Sequence, residues 1–251
     1  MILLLDVGNT RLKWAWLEHW RVGPAGAIAH DATHRSWQRE IEADGHRPAR
    51  IVVSSVAGPA FAAALTLWAR DHYRVEPEFL SARAEQCGVR NSYARPSALG
   101  VDRWLGLIGA WRSRAHPTLI VSAGTALTVD ALDGSGRHCG GLIVPGVAMM
   151  RDARARFEDD LDFMPATDGS DAAARADCSL RLLAALADRS VEECADRVGT
   201  APRVILTGGD APLLRPLLRH LAELIPDLVL AGLAIVAGEE PARGGAASGA
   251  A

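Results

Sequence analysis

Residues 2–16 read ILLLDVGNTRLKWAW, and their apolar pattern predicts two strands joined by a turn. Ile2 to Leu5 form an unbroken apolar run, which is typical of a strand buried on both faces. Large apolar residues then recur at every second position from Leu12 to Trp16, the period of a β-strand. The segment between them, Asp6 to Thr10, contains a glycine and predicts the turn of a β-hairpin.

The same pattern occurs a second time. Leu119 to Val121 form another buried-type strand, Ser122-Ala-Gly-Thr supplies the turn, and the apolar run Ala126 to Val129 follows. Gly8 and Gly124 are 116 residues apart, close to half of the chain. The repeat predicts an α/β fold of two similar halves that face each other across a cleft, each contributing one glycine turn.

We expect the first half to span residues 1–115 and the second to span 116–238. Residues 239–251 are dominated by Gly, Ala, Ser and Glu and are expected to form a disordered tail. Ser97, after Pro96, is a plausible helix start, which would place Asp102 and Arg103 in the first turns of a helix.

Composition excludes several classes of protein. The chain has 251 residues, 49 % of them apolar and 23 % charged, which is ordinary globular usage. A net charge of −3 disfavours a generic nucleic-acid binder. The four cysteines lie far apart and suggest neither a zinc site nor a disulfide framework, and the short apolar N-terminus suggests neither a signal peptide nor a membrane span. We therefore expect a cytoplasmic protein.

The first glycine turn has the residue types of a phosphate-binding loop. Gly8 carries no side chain to block a phosphate, and Asn9 and Thr10 add short polar donors. Asp6, at the carboxyl end of the first strand, is placed to hold Mg²⁺ directly or through water. Lys13, the single lysine of the chain, could reach a phosphate as a point charge. The structural alternative is an Asn-bearing hairpin turn capped by Asp6.

The second turn, Gly124 to Ala126, forms a matching cradle with the same structural alternative. Together the two cradles favour a nucleoside triphosphate held between the halves. Neither turn is a Walker A motif or a dinucleotide G-x-G-x-x-G motif.

A third group of candidates follows Gly100-Val101. The Asp102 carboxylate could accept a proton from an attacking hydroxyl, and Arg103 could bind an anionic substrate group in a bidentate way. The alternative is a surface ion pair between the two residues. Asp130 and His138-Cys139 are weaker candidates, with the histidine expected in a loop. Tyr93 is expected in the core or as a wall of the substrate site.

Taken together, these segments resemble the type III pantothenate kinases, a family that also includes proteins named Bvg accessory factors. Five motifs carry the resemblance through nearly the whole chain. They are DVGNTRLKW at 6–14, GVDR at 100–103, AGTALTVD at 123–130, GGLIVPG at 140–146 and TGGD at 207–210.

The resemblance implies duplicated ribonuclease-H-like halves of the acetate and sugar kinase, Hsc70 and actin superfamily. It implies ATP-dependent phosphorylation of the primary hydroxyl of pantothenate, the first step of coenzyme A synthesis, by a homodimer that requires K⁺ or NH₄⁺. Asp102 would then accept the proton, and Asp6 would lie near Mg²⁺. The remaining implied contacts are the first phosphate loop Asp6, Val7, Gly8, Asn9, Thr10, Arg11, Leu12 and Lys13; Gly124 and Thr125 for ATP; and Tyr93, Gly100, Val101, Asp102 and Arg103 for pantothenate.

The chain departs from the family pattern at three positions. Ser122 stands where the family usually has the aspartate that helps to bind the monovalent cation, and a neutral hydroxyl weakens such a site. Ser170 takes the place of a substrate-binding threonine and keeps its hydroxyl. Ala231 occupies a position that is often glutamate.

Two other functions remain open at this point. One is a non-catalytic regulatory relative that binds nucleotide and acts through a partner, which the Ser122 and Ser170 departures favour. The other is a kinase or phosphatase of the same superfamily with a different small substrate. The retained Asp6, Asp102 and Arg103 favour catalysis, and the GVDR motif favours pantothenate.

Overall fold

The computed structural model describes residues 1–29, 36–155 and 171–239. The predicted substrate contact Ser170 and the predicted tail beyond Glu239 lie outside the described residues. Within the described ranges, no helix has both the length and the apolar composition needed to cross a membrane.

The described chain alternates strands with helices in the order expected of an α/β protein. The strands are β1 Ile2–Val7, β2 Arg11–Glu18, β3 Arg21–Val22, β4 Gly26–Ala29, β5 Arg50–Ser55, β6 Pro77–Phe79, β7 Glu85–Gln86, β8 Val89–Arg90, β9 Thr118–Ala123, β10 Ala126–Leu132, β11 His138–Pro145, β12 Arg203–Thr207 and β13 Glu223–Leu224. The helices are α1 Ser36–Ala43, α2 Pro59–Trp68, α3 Val101–Ser113, α4 Val147–Ala155, α5 Asp171–Val198, α6 Ala211–Leu214 and α7 Leu228–Gly238.

Two sheets with the same topology form the frame. The first has the strand order β3-β2-β1-β5-β6, with β4 also paired to β2, and the second has the order β11-β10-β9-β12-β13. In each sheet the leading strand, β1 or β9, pairs antiparallel with the next strand and parallel with the strand on its other side. The internal repeat inferred from the sequence therefore corresponds to a repeated sheet.

The offset of the repeat is preserved in the strands. β1 begins at Ile2 and β9 at Thr118, and both strands have six residues, so the 116-residue spacing holds along their length. The connecting turns differ by one residue, because Val7 pairs with Leu12 in the first hairpin whereas Ala123 pairs with Leu127 in the second. The second loop is thus the tighter of the two.

Alternation along β1 and β9 divides their side chains between an inner and an outer face. Leu3, Leu5 and Val7 pack on the outer side of the first sheet with α1 and α2. Leu4 and Ile120, from the other faces, join one core with α3 and α7. These two helices therefore lie between the inner faces of the two sheets.

Helix α3 is buried on nearly all sides, so its position is set by packing. Its closest contact is with α7, where glycines allow the backbones to approach. A Cβ on Gly109 would lie 2.7 Å from the Leu228 carbonyl oxygen, and one on Gly232 would overlap the Leu105 carbonyl oxygen. Although α7 is distant in sequence, it packs against α3 and against strands β1, β2 and β5 of the first sheet.

The structure corrects two local predictions. The predicted helix start at Ser97 is wrong, because Pro96–Ala98 form a 3-10 turn and both Leu99 and Gly100 have extended ψ values. Helix α3 begins at Val101, which still places Asp102 and Arg103 in its first turn. The predicted loop position of His138 is also wrong, since this residue is fully buried at the start of β11.

Candidate active site

The loops of the two hairpins meet at a cavity of about 490 Å³. Across its mouth, the hydroxyl oxygens of Thr10 and Thr125 lie 2.8 Å apart and share a hydrogen bond. The cavity brings together most of the site residues predicted from the sequence, namely Asp6, Gly8, Asn9, Thr10, Arg11, Lys13, Asp102, Arg103, Ser122, Gly124 and Thr125.

Some predicted contacts lie elsewhere. Val7 and Leu12 are fully buried in the outer core of the first sheet, so their side chains support the loop and do not line the cavity. Gly100, Val101 and Tyr93 are also outside the cavity lining, and Tyr93 adjoins it through Arg103. The lining also includes residues that were not assigned to the site from sequence, from Thr207 to Asp210 and from Pro226 to Leu230.

The backbone N–H groups of the two turn glycines form hydrogen bonds within the turns. The Gly8 N–H donates to the Arg11 carbonyl oxygen at 3.0 Å, and the Gly124 N–H donates to the Ala126 carbonyl oxygen at 3.1 Å. These two N–H groups close the hairpin turns, so they do not point at a ligand. The contribution of the glycines is space, because they leave the rim of the cavity without side chains.

Two further glycines close the loops around the second hairpin. Gly208 has a φ of +96°, and a Cβ there would overlap the Ala123 carbonyl oxygen. A Cβ on Gly146 would lie 2.6 Å from the Thr125 carbonyl oxygen. The motifs TGGD and GGLIVPG therefore pack directly against the AGT turn. This packing explains the glycines at positions 146 and 208.

The polar floor of the site consists of two equivalent rows across neighbouring strands. In the first sheet, Asp6 of β1 lies between Lys13 of β2 and Ser54 of β5. The matching row in the second sheet contains only hydroxyl side chains, with Ser122 between Thr128 and Thr207. Residues paired across strands face the same side of the sheet, so each row presents its side chains together.

The Asp6 carboxyl is the most strongly perturbed acid of the site. Burial and the nearby negative charge of Asp102 raise its pKa from 3.8 to about 7, although the hydrogen bond from Ser54 and the charge of Lys13 oppose the change. The Ser54 hydroxyl donates to Asp6 Oδ1 at 3.1 Å. Such a carboxylate gains from a bound cation, because a cation offsets the cost of holding its charge in the protein.

Lys13 is engaged elsewhere. Its Nζ donates to the Pro226 carbonyl oxygen at 2.9 Å and forms an ion pair with Asp227 at 3.0 Å. The Thr207 hydroxyl donates to the same Pro226 oxygen at 3.3 Å. Lys13 therefore fastens β2 to the segment that leads into α7, a contact between residues more than 200 positions apart.

Asp102 lies in the first turn of α3 with its carboxyl facing the cavity. Burial raises its pKa, while hydrogen bonds from the backbone N–H groups of Arg103 and of Asp102 itself oppose the rise. A Cβ on Gly100 would lie only 2.6 Å from Asp102 Oδ1, so this glycine leaves room for the carboxyl. Asp102 is thus a half-buried acid that lines the same cavity as Asp6.

Arg103 does not form the surface ion pair with Asp102 that was considered as an alternative. Its guanidinium is buried and binds the carboxylate of Asp130 through two hydrogen bonds, of 2.9 Å from Nε and 2.6 Å from Nη2. Burial opposes a charged guanidinium, yet the bonds to Asp130 raise the pKa of Arg103 above its ordinary value. The sequence signal for this pair was weak, because the partners are 27 residues apart on different elements.

Comparison with known proteins agrees with this geometry. A family model described as type III pantothenate kinase matches residues 2–173. A type III pantothenate kinase from Nitrosococcus oceani is 38 % identical over 94 % of this chain and 94 % of its own.

Two solved structures share the fold at low identity. A Baf family protein from Campylobacter jejuni, named as a transcriptional activator, has a TM-score of 0.54 at 18 % identity and covers 93 % of this chain and 96 % of its own. A Sinorhizobium meliloti protein named as a 2-dehydro-3-deoxygalactonokinase has a TM-score of 0.53 at 16 % identity, with coverages of 94 % and 98 %. These two structures share the α/β fold of this chain, and by sequence the chain belongs to the type III pantothenate kinase family.

Proposed function

We propose that this chain transfers the γ-phosphoryl group of ATP to the primary hydroxyl of pantothenate, giving 4′-phosphopantothenate in the first step of coenzyme A synthesis. Membership of the family supports the reaction and the use of ATP with a divalent metal. The single observation that carries the proposal is that Asp102, a half-buried acid, lines the same cavity as both hairpin loops. Relatives named as kinases give no support to the non-catalytic alternative.

Asp102 is the proton acceptor in this reaction. The substrate oxygen forms a bond to the γ-phosphorus while the bond between that phosphorus and the bridging oxygen of ADP breaks. The hydroxyl proton passes to the Asp102 carboxylate. A raised pKa improves this carboxylate as a base, because proton transfer is favoured when the acceptor pKa approaches the working pH.

Asp6 is the residue that fits a divalent cation. Its carboxylate lines the cavity and supplies oxygen atoms, the ligands that Mg²⁺ prefers. When bound, Mg²⁺ supplies positive charge that offsets the negative charge of the polyphosphate. Asp6 would hold the ion directly or through water.

Arg11 is the cationic side chain of the first loop that remains available to a phosphate. It is exposed at the cavity, and among residues 1–29, 36–155 and 171–239 its guanidinium has no ion-pair partner. Its Nη1 lies 3.3 Å from the place that a Cβ on Gly209 would occupy, so it reaches across to the second half. We assign to Arg11 the phosphate contact predicted for Lys13, with the Thr10 and Thr125 hydroxyls beside it.

The acceptor substrate lies on the α3 side of the cavity in this proposal. Gly100 and Val101 shape the entrance to α3, and Arg103 with Tyr93 supplies hydrogen-bond donors to pantothenate. Ser122 offers only a neutral hydroxyl to a monovalent cation, and Thr128 and Thr207 beside it are also neutral. We therefore expect K⁺ or NH₄⁺ to stimulate this chain weakly.

Three broader assignments complete the proposal. The two halves, residues 1–115 and 116–238, act as the two walls of the site, with α7 returning to the first wall. The active form is a homodimer. The enzyme works in the cytoplasm, where ATP is available.

The test is mass-spectrometric detection of phosphopantothenate from pantothenate and Mg-ATP, in K⁺, NH₄⁺ and Na⁺ buffers. Asp102→Asn keeps the shape of the side chain and removes its basicity, so we expect a folded variant with turnover reduced roughly 100-fold or more. Wild-type turnover in Asp102→Asn would exclude the assigned base. A folded, nucleotide-binding wild-type chain that forms no product in any salt would favour the regulatory function or another substrate.

A further inference from the structure

A buried polar network surrounds Arg103 at the wall of the cavity, and the Asp130 carboxylate of this network also lines the cavity. Asp130 of β10 accepts both hydrogen bonds of the guanidinium and a third bond, of 2.9 Å, from His138 Nε2. The side chains of Arg103 and Asp130 are 7 % and 4 % exposed, and that of His138 is fully buried. A buried network of this kind is costly unless every member is paired.

The hydrogen bond to Asp130 fixes the position of one proton in the network. A carboxylate only accepts, so His138 Nε2 carries the proton that it shares with Asp130. The other ring nitrogen, Nδ1, shares a hydrogen bond of 3.1 Å with the Ser92 hydroxyl. Although burial favours a protonated Asp130, the bonds from His138 and Arg103 outweigh it and lower the pKa of this acid.

Tyr93 extends the network from Arg103. Arg103 Nη1 donates to the Tyr93 hydroxyl oxygen at 3.3 Å, and the Tyr93 ring stacks on His138 with centroids 5.9 Å apart and planes 7° from parallel. Because a guanidinium only donates, the Tyr93 oxygen is the acceptor in this bond. The phenolic proton is thus directed to another acceptor.

The backbone of strand β11 packs directly against the network. A Cβ on Gly141 would lie 2.6 Å from Asp130 Oδ1 and 2.9 Å from Arg103 Nη2, and it would overlap the Val129 carbonyl oxygen. The backbone of β11 therefore approaches the ion pair as closely as a glycine permits. The guanidinium has no space to turn away from the cavity on that side.

We propose that Asp130 and His138 are positioning residues that hold the Arg103 guanidinium and the Tyr93 hydroxyl as a fixed pair of donors for an anionic group of the acceptor substrate. The inference rests on the proposed function, since the acceptor there is a carboxylate-bearing alcohol. His138 is fully buried, and the Asp130 carboxylate, although it lines the cavity, has its hydrogen bonds with Arg103 and His138. In this proposal both residues set the direction of the Arg103 and Tyr93 donors, and so they affect recognition of the acceptor and not of ATP.

Asp130→Asn tests the inference against a matched control. The chain contains a second buried aspartate, Asp188 of α5, which accepts from the backbone N–H groups of Arg219 and His220, and it is absent from the cavity lining. We expect Asp130→Asn to raise KM for pantothenate about tenfold or more, because it removes charged hydrogen bonds, and to leave KM for ATP within about twofold. Asp188→Asn should leave both values within about twofold.

His138 provides a second variant in case Asp130→Asn does not fold. His138→Gln keeps a donor near the position of Nε2 and should restore most of the pantothenate affinity that His138→Leu loses. Equal KM values for pantothenate in wild type, Asp130→Asn and His138→Leu would overturn the proposal. So would a parallel loss of pantothenate and ATP affinity in Asp130→Asn.

A measurement without substrate separates this inference from the proposed function. In ¹H–¹⁵N spectra, the Nε–H of Arg103, identified by its absence in Arg103→Lys, should exchange slowly with solvent in the wild type and faster in Asp130→Asn. Unchanged exchange would refute the positioning role. An inactive wild-type chain that shows the expected exchange difference would instead refute pantothenate phosphorylation and leave the positioning of Arg103 supported.

Discussion

Replacing Asp6 with asparagine should stabilise the metal-free protein at neutral and alkaline pH. The pKa of Asp6 is raised from 3.8 to about 7, so between these values the folded chain holds a proton that the unfolded chain has released. Over this window the free energy of unfolding of the wild type falls as pH rises, by about 1.4 kcal/mol per pH unit. The amide side chain of the Asp6→Asn variant carries no charge and does not contribute this dependence.

The expected magnitude follows from the width of the window. Three pH units correspond to about 4 kcal/mol, an upper limit because water in the open cavity screens the carboxylate. Asp6→Asn should therefore match the wild type near pH 4 and exceed its stability by up to about 4 kcal/mol above pH 7. The same variant should lose Mg-ATP-dependent turnover, so it exchanges function for stability.

The assay is urea unfolding followed by tryptophan fluorescence in EDTA, at intervals from pH 5 to 8.5. The quantity of interest is the free energy of unfolding of Asp6→Asn minus that of the wild type. Ser54→Ala provides a second arm, because loss of the hydrogen bond that lowers the pKa of Asp6 should move the transition to higher pH. A difference that stays constant from pH 5 to 8 would refute the reasoning.

Two further predictions concern residues of the hairpin strands, Lys13 and Arg11 of β2 and Ser122 of β9. Lys13→Met removes the bonds to Pro226 and Asp227 and should lower the free energy of unfolding, measured in urea, by about 1 kcal/mol. Arg11→Ala should instead leave the free energy of unfolding unchanged and raise KM for ATP. The opposite pattern would return the phosphate contact to Lys13. Ser122→Asp introduces a carboxylate between two hydroxyl neighbours and should increase the ratio of turnover in K⁺ to turnover in Na⁺, while a ratio unchanged from wild type would exclude residue 122 from cation binding.

The parts of the fold that depend on local sequence could be predicted. The apolar run Ile2 to Leu5, the alternation after Thr10 and their repetition from Leu119 specified the two hairpins, and the 116-residue spacing gave the repeated sheet. The helix that carries Asp102 was also anticipated. Its start was misplaced because the extended backbone of Leu99, a residue buried in the core, delays the first helical turn.

Side-chain contacts that form only when strands and segments assemble could not be predicted, because no local pattern records them. Lys13 looked like a phosphate ligand because it stands in the first loop, yet its partners are Pro226 and Asp227. His138 looked like a loop residue between glycines, yet it is buried against Asp130. In both cases the polar side chain contacts its partner only in the assembled fold, so composition and spacing did not predict the contact.

The two equivalent rows of side chains on the floor of the cavity differ in charge, so the two halves of the duplicated fold are not equivalent. Asp6 and Ser122 occupy the same position of β1 and β9, so a pseudo-twofold relation between the sheets exchanges a carboxylate for a hydroxyl. A cleft with matching walls would accept a chain of phosphates in either orientation. Because only one of the two rows carries charge, the floor of the cleft is polarised, and in the proposed reaction a metal on the nucleotide would face the row that contains Asp6.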